Sequence, residues 1–347
     1  MEGNVLRKIV IVLISLLLIV VVSLGVFLSG GPEFPSNTDE IIAQAIEAEP
    51  PQLVSGKTGY AKSGDVKIWY EKKSPTTQPR ASVLLVMGAG VSSMLWPPDF
   101  IQALVSKGYQ VIRFDNRGTG MSDWIDDWQN DKPYSLEDMA GDALAVLDAN
   151  GVKRAHIIGT SMGGMIGQRL AISHSDRVLS LVSMSSSAHM FDPELANLNA
   201  DFTLDSVRLI MKYAFIGSEQ SMVKMMAGFI DMMLSDELQQ EDVRPIADMV
   251  LYEMRKRRGF NQKASSQHFA AMQLSGSRLD ELAAIKCPVL VIHGTADAPV
   301  NIAHARKYAQ LISGTQTLWL EGAGHIIRDK HMPVMMNAIF NLFASEE

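Results

Sequence analysis

The sequence contains a single cysteine, Cys287, among its 347 residues. A lone cysteine cannot form a disulfide within the chain, and it lacks the spaced partners of a thiolate metal site. It comes directly before the apolar run at residues 288–292, so we expect it to be a small buried core residue. The sequence therefore excludes a disulfide-stapled domain and predicts no metal site.

Runs of positive charge are almost as scarce. The formal net charge is −7 and the pI is about 5.7, and no run of Lys and Arg alternates with aromatic residues, which argues against a nucleic-acid partner. The one basic cluster extends from Arg255 to Arg258. We interpret it as the solvated end of a helix, with contact to an anionic partner or lipid headgroup as the alternative.

Charged residues are absent from residues 9–28, which are dominated by Ile, Val and Leu. About 20 apolar residues suffice for a helix to cross the bilayer. Arg7 and Lys8 precede the run and acidic residues follow it, so we expect an uncleaved membrane anchor with a cytoplasmic N-terminus and everything downstream outside. The alternative is a cleaved signal peptide and a secreted or periplasmic protein, although the run exceeds a usual signal core and no A-x-A site follows.

Changes in composition divide the chain into five segments. Residues 1–29 form the predicted anchor, and residues 30–52, rich in Pro, Glu and small polar residues, form a predicted stalk with a short helix from Glu40 to Ala48. Residues 53–185 and 287–347 are two parts of one core, in which apolar runs alternate with helical stretches. Residues 186–286 contain no run typical of a strand, and their apolar residues recur at helical spacing, so we expect a helical cap.

The alternation in the two core parts predicts an α/β fold. Apolar runs separated by helices are typical of a right-handed parallel sheet. The segment around Ser63-Gly64-Asp65 predicts a hairpin of two edge strands ahead of the parallel part. We therefore expect a mostly parallel, eight-stranded sheet flanked by helices, with the helical cap inserted after the sixth strand.

The motif Gly159-Thr160-Ser161-Met162-Gly163 interrupts the pattern of strand and helix most abruptly. In a G-x-S-x-G motif, glycines two residues to either side of the serine permit a turn too tight for side chains. Ser161 would then stand exposed at the end of a strand, beside the positive N-terminus of the helix that begins at Met162. This arrangement is typical of a nucleophilic serine.

A nucleophilic serine needs a base, and the base needs a carboxylate to orient it. Asp297 follows the predicted seventh strand, and His325 follows the eighth in a loop that contains Gly322 and Gly324. Because parallel strands end at one edge of a sheet, Ser161, Asp297 and His325 are predicted to form a catalytic triad in that chain order.

Two backbone amides are predicted to stabilise the oxyanion of the tetrahedral intermediate. Met162 follows the nucleophile and supplies one amide, and Ala89 follows Gly88 and supplies the other. Both roles belong to the backbone and leave the side chains free to vary.

The predicted cap contains a stripe of apolar residues, rich in methionine, that could cover the site. Methionine is adaptable and suits the wall of a deformable apolar pocket, although packing within the cap is the alternative role. The candidate pocket residues are Met225, Met226, Phe229 and Met233.

Taken together, these motifs resemble the α/β-hydrolase superfamily and, within it, the serine esterases similar to aclacinomycin methylesterase. The resemblance extends over about residues 55–345 and departs from the commonest superfamily pattern at Met87, where His is usual before glycine. It rests on Met87-Gly88, Trp96-Pro97, Phe114-Asp115-Asn116-Arg117, the motif at 159–163, Asp297 and Gly324-His325.

The triad and the resemblance imply a serine hydrolase that cleaves carboxylic esters through an acyl-enzyme, without a cofactor. The methionine-rich face of the predicted cap leads us to expect small to medium-sized apolar esters as substrates. The same triad also serves acyltransferases and cofactor-free perhydrolases or haloperoxidases, which stay open as alternatives. A non-enzymatic binding protein on this fold would normally have lost members of the triad. The oligomeric state stays open.

Overall fold

We describe the protein from a computed structural model. The described residues are 13, 20–126, 128, 133–195 and 199–344.

The centre of the fold is an eight-stranded sheet with the order β1-β2-β4-β3-β5-β6-β7-β8. All pairs from β4 onward in that order are parallel, as the alternation of strands and helices predicts. The strands are β1 Lys57–Ser63, β2 Val66–Lys73, β3 Ser82–Val86, β4 Gln110–Phe114, β5 Ala155–Thr160, β6 Val178–Met184, β7 Val289–Gly294 and β8 Gln316–Leu320.

The first two strands form the expected hairpin. Ser63 pairs with Val66 across a two-residue turn that contains Gly64 at φ 59°. Of these two strands only β1 is an edge strand, because β2 pairs antiparallel with β4 on its other side. The prediction of two edge strands is therefore wrong for β2.

Helices cover both faces of the sheet. On one face α3, α4 and α9 pack over the apolar residues of the central strands, and on the other face α2 and α10 do so. The helices are α1 Thr38–Glu47, α2 Pro98–Ser106, α3 Leu136–Ala149, α4 Met162–Ser173, α5 Ala200–Leu209, α6 Glu219–Met233, α7 Gln240–Lys256, α8 Ala264–Ser275, α9 Ile302–Ala309 and α10 Met332–Ala344.

The chain between β6 and β7 carries helices α5 to α8, and a π-helical turn at Ile210–Ala214 directly follows α5. Helices α6 and α7 share a buried apolar cluster that includes Val223, Ala227 and Val250. The division of the chain into domains stays a prediction. Cys287, expected in the core, is half-buried at the end of this segment.

Residues 30–52, expected as a stalk, contain a helix that packs on the rest of the chain. In α1, Ile42 is fully buried and Ala45 nearly so, and both lie in the cluster formed by α6 and α7. The apolar face of α1 removes surface from water, which stabilises the docked position. This segment is therefore not an extended linker along its whole length.

The predicted anchor at residues 9–28 lies largely outside the described residues, which include only residues 13 and 20–28 of it. Residues 20–29 are helical. No helix among the described residues is both long enough and apolar enough to span a bilayer. The anchor stays a prediction.

The basic cluster is bound to this chain's own residues, so its interpretation as a solvated helix end is wrong for Arg257. That side chain is 3% exposed and forms salt bridges with Asp115 and Glu253. Its guanidinium also stacks on Trp69 at 4.5 Å from the ring centroid. A sequence pattern cannot distinguish this arrangement from a solvated one. Asp115 is distant in the chain, and Glu253, one helical turn earlier, could pair with Arg257 equally well at a solvated surface.

This ion pair connects the predicted cap to the core. Asp115 follows β4 and accepts hydrogen bonds from the backbone N and the Oγ of Ser93, at 2.9 and 2.7 Å. Glu253 in α7 accepts a hydrogen bond from Ser92 Oγ. Burial raises the pKa of the Glu253 carboxyl, although Arg257 opposes that shift. The two carboxylates therefore share one guanidinium in a nearly dry environment.

We expect Arg257→Ala to lower the free energy of unfolding by about 3–5 kcal/mol, because it leaves two buried carboxylates without a counter-charge. Urea unfolding followed by circular dichroism measures the loss. Arg244→Ala is the matched control, in the helix that Arg257 directly follows, because Arg244 pairs with Asp248 at the surface and its side chain is 45% exposed. The control should change stability by less than about 1 kcal/mol. Equal losses in the two variants would contradict a special role for the buried pair.

Candidate active site

Ser161 occupies the sharp turn between β5 and α4. Its backbone has φ 54° and ψ −123°, which is strained for a residue with a side chain. A Cβ on Gly159 would lie 2.2 Å from the carbonyl oxygen of Gly163, and a Cβ on Gly163 would lie 2.1 Å from that of Val86. Both positions of the motif therefore require glycine, because any side chain there would collide with a backbone carbonyl.

Two hydrogen bonds hold this strained residue in place. The Ser161 amide donates to Met184 O at 2.8 Å, and the Ser186 hydroxyl donates to Ser161 O at 2.7 Å. Ser161 is half-buried, whereas the next residue, Met162, is fully buried at the start of α4. The serine is thus fixed at the N-terminus of a helix and remains accessible from one side.

The structure brings Asp297 and His325 together as predicted from their positions after β7 and β8. His325 Nδ1 lies 2.8 Å from Asp297 Oδ2. The other carboxylate oxygen, Oδ1, accepts the backbone amide of Val300 at 2.7 Å. Asp192, which follows β6, instead pairs with Lys307 at 2.7 Å. The geometry therefore favours Asp297 as the carboxylate partner of the histidine.

His293 is a second partner of the same carboxylate, a role that its position in a strand did not reveal. Its Nε2 lies 3.2 Å from Asp297 Oδ2 and 2.8 Å from Val300 O. Burial alone would raise the pKa of Asp297, but His325 and His293 outweigh it and lower that pKa to about 2. Asp297 therefore stays ionised at any pH at which an esterase is assayed.

The loop that carries His325 is fixed from two sides. The His325 amide donates to Met233 O, at the end of α6, at 2.8 Å, and the Ser185 hydroxyl donates to His325 O at 3.0 Å. Ser185 and Ser186 are consecutive, and Ser186 holds the carbonyl of Ser161. Two adjacent serines after β6 thus attach the loops of both predicted catalytic residues to the same strand end.

The loop after β3 lies against the serine. A Cβ on Gly88 would lie 3.2 Å from Ser161 Cβ and 3.7 Å from Ser161 Oγ. Ala89 is the next residue along this loop, and Met162 directly follows the serine at the start of α4. Of the two predicted oxyanion-hole residues, Met162 therefore adjoins Ser161 in the chain, and Ala89 follows a glycine that lies against Ser161. Their donor roles stay a prediction.

The comparisons with known proteins agree with this geometry. The family model described as alpha/beta hydrolase fold matches residues 81–331. The chain belongs to the α/β hydrolase fold family. It is accordingly a hydrolase.

Two similar relatives of this α/β hydrolase come from Streptomyces. It is 30% identical to Rhodomycin D methylesterase DauP of Streptomyces sp. (strain C5) over 289 residues, which cover 76% of this chain and 90% of that protein. It is 29% identical to Rhodomycin D methylesterase DnrP of Streptomyces peucetius over 286 residues, with the same coverage.

A similar solved structure is the enol-lactonase from Burkholderia xenovorans LB400, with a TM-score of 0.64 and 24% identity. The match covers 82% of this chain and 100% of that chain. At this identity the likeness supports the shared fold.

His268 in α8 reaches from the predicted cap to the loop after β3, which we call the predicted oxyanion loop because it carries Ala89. Its Nδ1 accepts the amide of Gly90 at 2.9 Å, and its Nε2 lies 2.8 Å from Arg117 O. Nε2 therefore carries the proton, since a carbonyl oxygen can only accept. Burial lowers the pKa of His268 to about 4, which keeps the ring neutral and Nδ1 free to accept.

No local pattern could have singled out His268 from the sequence. It lies in a helix without a marked apolar face, and its two partners come from the loops after β3 and β4. Gly90, one residue beyond Ala89, has φ 75°, a left-handed conformation that favours glycine. The hydrogen bond from its amide to His268 holds the loop in this conformation. The contact fixes the direction of the predicted oxyanion loop.

The predicted pocket residues occupy different environments. Met226 is 8% exposed and packs in the apolar cluster that α1, α6 and α7 share. Met225, Phe229 and Met233 are half-buried, and the carbonyl of Met233 contacts the His325 loop. A role of these side chains in binding substrate stays a prediction.

Among the described residues, no group of three or more His, Cys, Asp or Glu side chains is arranged to hold a metal ion.

We expect His268→Ala to lower kcat about 10- to 100-fold on any ester that the enzyme hydrolyses, with KM nearly unchanged. The variant releases the Gly90 amide, so the predicted oxyanion loop loses its fixed direction, and a loop that holds an oxyanion acts on the transition state. Steady-state kinetics measures the split. Ser266→Ala is the matched control, an exposed position on the same helix that bonds only locally to Lys263 O.

The pH dependence of stability supplies a second readout. Between pH 6.5 and 4 the unfolded chain binds a proton at residue 268 that the native state does not, so the free energy of unfolding falls as the pH drops. His268 alone contributes about 3 kcal/mol to the loss over this range, and His268→Gln should lack that contribution. A variant with wild-type kcat and an unchanged pH profile would show that His268 does not position the loop.

Proposed function

We propose that this α/β hydrolase cleaves carboxylic esters with the triad Ser161, His325 and Asp297. The observation that carries the proposal is the 2.8 Å contact between His325 Nδ1 and Asp297 Oδ2, at the sheet edge where the strained turn presents Ser161. The methylesterase activity named for its relatives DauP and DnrP supports the same reaction class.

In the proposed reaction, His325 Nε2 takes the proton of Ser161 Oγ as that oxygen attacks the ester carbonyl carbon. The tetrahedral oxyanion accepts hydrogen bonds from the amides of Ala89 and Met162. The bond from carbon to the alcohol oxygen then breaks, and the alcohol leaves with the proton from His325. Water, deprotonated by His325, attacks the acyl-enzyme, which releases the carboxylic acid and restores Ser161.

Asp297 orients the histidine and stabilises its protonated form. With the pKa of Asp297 lowered to about 2, the carboxylate remains charged while His325 gains and loses its proton. His293 holds Asp297 Oδ2 from the other side. The acid therefore keeps one position through both half-reactions, which keeps the imidazole in the productive tautomer.

The proposed substrates are small to medium-sized apolar esters. Phe229 and Met233 are half-buried on α6, the helix whose end touches the His325 loop, so an apolar group of a bound ester would meet them there. Each methylene removed from water contributes about 0.8 kcal/mol. The net charge of −7 disfavours polyanionic esters.

We also propose that residues 9–28 anchor the enzyme in a membrane, with the catalytic part outside the cytoplasm. The supporting observations are the uncharged apolar run and its basic N-terminal flank at Arg7 and Lys8. Protease added after the outer barrier of intact cells is opened should digest the catalytic part. Protection of the catalytic part from the protease under those conditions would show that it lies on the cytoplasmic side.

We expect Ser161→Ala to reduce kcat about 10⁶-fold and to abolish labelling by a fluorophosphonate, because the nucleophile is lost. Asp297→Asn should reduce kcat about 10⁴-fold, because the amide favours the wrong histidine tautomer. Asp192→Asn is the matched control, since Asp192 pairs with Lys307 and not with His325. Product analysis with and without an alcohol acceptor distinguishes hydrolysis from acyl transfer.

Unchanged hydrolysis in Ser161→Ala would overturn the proposed mechanism. If Asp192→Asn lost activity and Asp297→Asn did not, the carboxylate would be misassigned. Circular dichroism confirms that each variant is folded.

We expect kcat/KM to rise from p-nitrophenyl acetate to butyrate, and Phe229→Ala to reduce that preference severalfold, because the truncated side chain buries less of the acyl chain. Met226→Ala is the comparison from the same helix, since Met226 is 8% exposed and packs within the apolar cluster. That variant should lose stability with the acyl preference unchanged. A flat chain-length profile that neither variant alters would show that α6 does not line the site.

A further inference from the structure

The segment from α5 to the turn after it exposes an unusual number of apolar side chains. From residue 30 onward, the other exposed large apolar side chains of the described chain occur singly, whereas six occur within residues 204–216. We call these six the apolar stripe: Leu204, Val207, Ile210, Met211, Phe215 and Ile216, which are 42%, 44%, 42%, 42%, 83% and 63% exposed.

The helical spacing places much of this stripe on one side of the segment. Leu204, Val207 and Met211 recur at intervals of three and four residues and therefore lie on one face. The opposite face is buried, because Leu209 is 2% exposed and packs on α6 at Gly228. A soluble surface helix normally presents polar residues outward, so this segment has apolar residues on its inner and outer faces.

The stripe adjoins the place where the N-terminal helical residues end. Arg208 Nε donates to Phe27 O at 3.0 Å, and the Arg208 guanidinium lies 4.9 Å from the centroid of the Phe27 ring. Lys212 Nζ donates to Gly30 O at 2.8 Å. The helical residues 20–29 therefore end against α5 and its π-helical turn. The junction contains Lys212 and Arg208, of which Arg208 also pairs with Asp205 at 2.5 Å.

The N-terminal residues at this junction are themselves apolar and exposed. Val22 is 56% exposed and Val26 is 69% exposed, and they belong to the uncharged run at residues 9–28. Water is a poor environment for this surface, whereas lipid would cover both it and the stripe. Cations at the boundary suit the headgroup region, where Arg and Lys place their charges while their stems stay in apolar surroundings.

We propose that the apolar stripe lies in the lipid–water interface of a bilayer, so that α5 and the turn after it form a second membrane contact beside the N-terminal segment. Phe215, the most exposed of the six, enters deepest. This inference rests on the proposed membrane anchor at residues 9–28 and goes beyond it, because it concerns how the folded body meets the membrane and is independent of the chemistry at Ser161.

The test uses the full chain reconstituted in vesicles of phosphatidylcholine and phosphatidylglycerol. An environment-sensitive fluorophore is attached to Phe215→Cys and, in a separate protein, to Leu311→Cys. Leu311 is 42% exposed and precedes β8, at the sheet edge away from Ser161. The unsubstituted protein, with Cys287 alone, gives the labelling background.

We expect the probe at residue 215 to shift to the blue and to be quenched at least threefold more by doxyl-labelled lipid than the probe at residue 311. Equal quenching at the two positions would overturn the proposal. A probe at residue 215 that is shielded from aqueous iodide but not quenched by doxyl lipid would identify a second copy of the chain as the occupant and also overturn it. Failure of both proteins to float with the vesicles has the same consequence. None of these readouts depends on ester hydrolysis.

Discussion

The candidate site depends on one close approach of backbone to backbone. Where β5 turns into α4, the carbonyl of Val86 lies where a Cβ on Gly163 would stand, and the carbonyl of Gly163 lies where a Cβ on Gly159 would stand. Any larger residue would push α4 away from the sheet. This packing accompanies the strained φ of Ser161 and brings Gly88 beside it, so the proposed nucleophile and the predicted oxyanion loop are positioned together.

The segment between β6 and β7 reaches this site through three separate contacts. The end of α6 accepts the amide of His325, α8 holds the amide of Gly90 through His268, and Arg257 after α7 binds Asp115 after β4. Each contact fixes a different loop at the carboxyl ends of the strands. The insertion therefore takes part in shaping the site, and a shift of its helices would move the three loops that it contacts.

The sheet could be predicted from the sequence because each parallel strand is a short apolar run that stops at turn residues. The pairing of Asp297 with His325 followed from the shared edge at which such strands end. The contacts of His268 and the burial of Arg257 could not be predicted, because Gly90, Arg117 and Asp115 are distant in the chain from the residues that they contact. The nearby pair of Arg257 with Glu253 does not by itself indicate burial. The docking of α1 depends in the same way on a groove made by α6 and α7.

The docking of α1 changes where the catalytic unit begins. Composition places the boundary near residue 53, yet Ile42 and Ala45 complete an apolar cluster with α6 and α7. A chain that begins at residue 53 would lack α1 and expose to water the apolar side chains of α6 and α7 that α1 covers. The end of α6 is also the part that accepts the amide of His325. The folded unit that holds the His325 loop therefore includes α1, and this part of the predicted stalk belongs to the same packed body as α6 and α7.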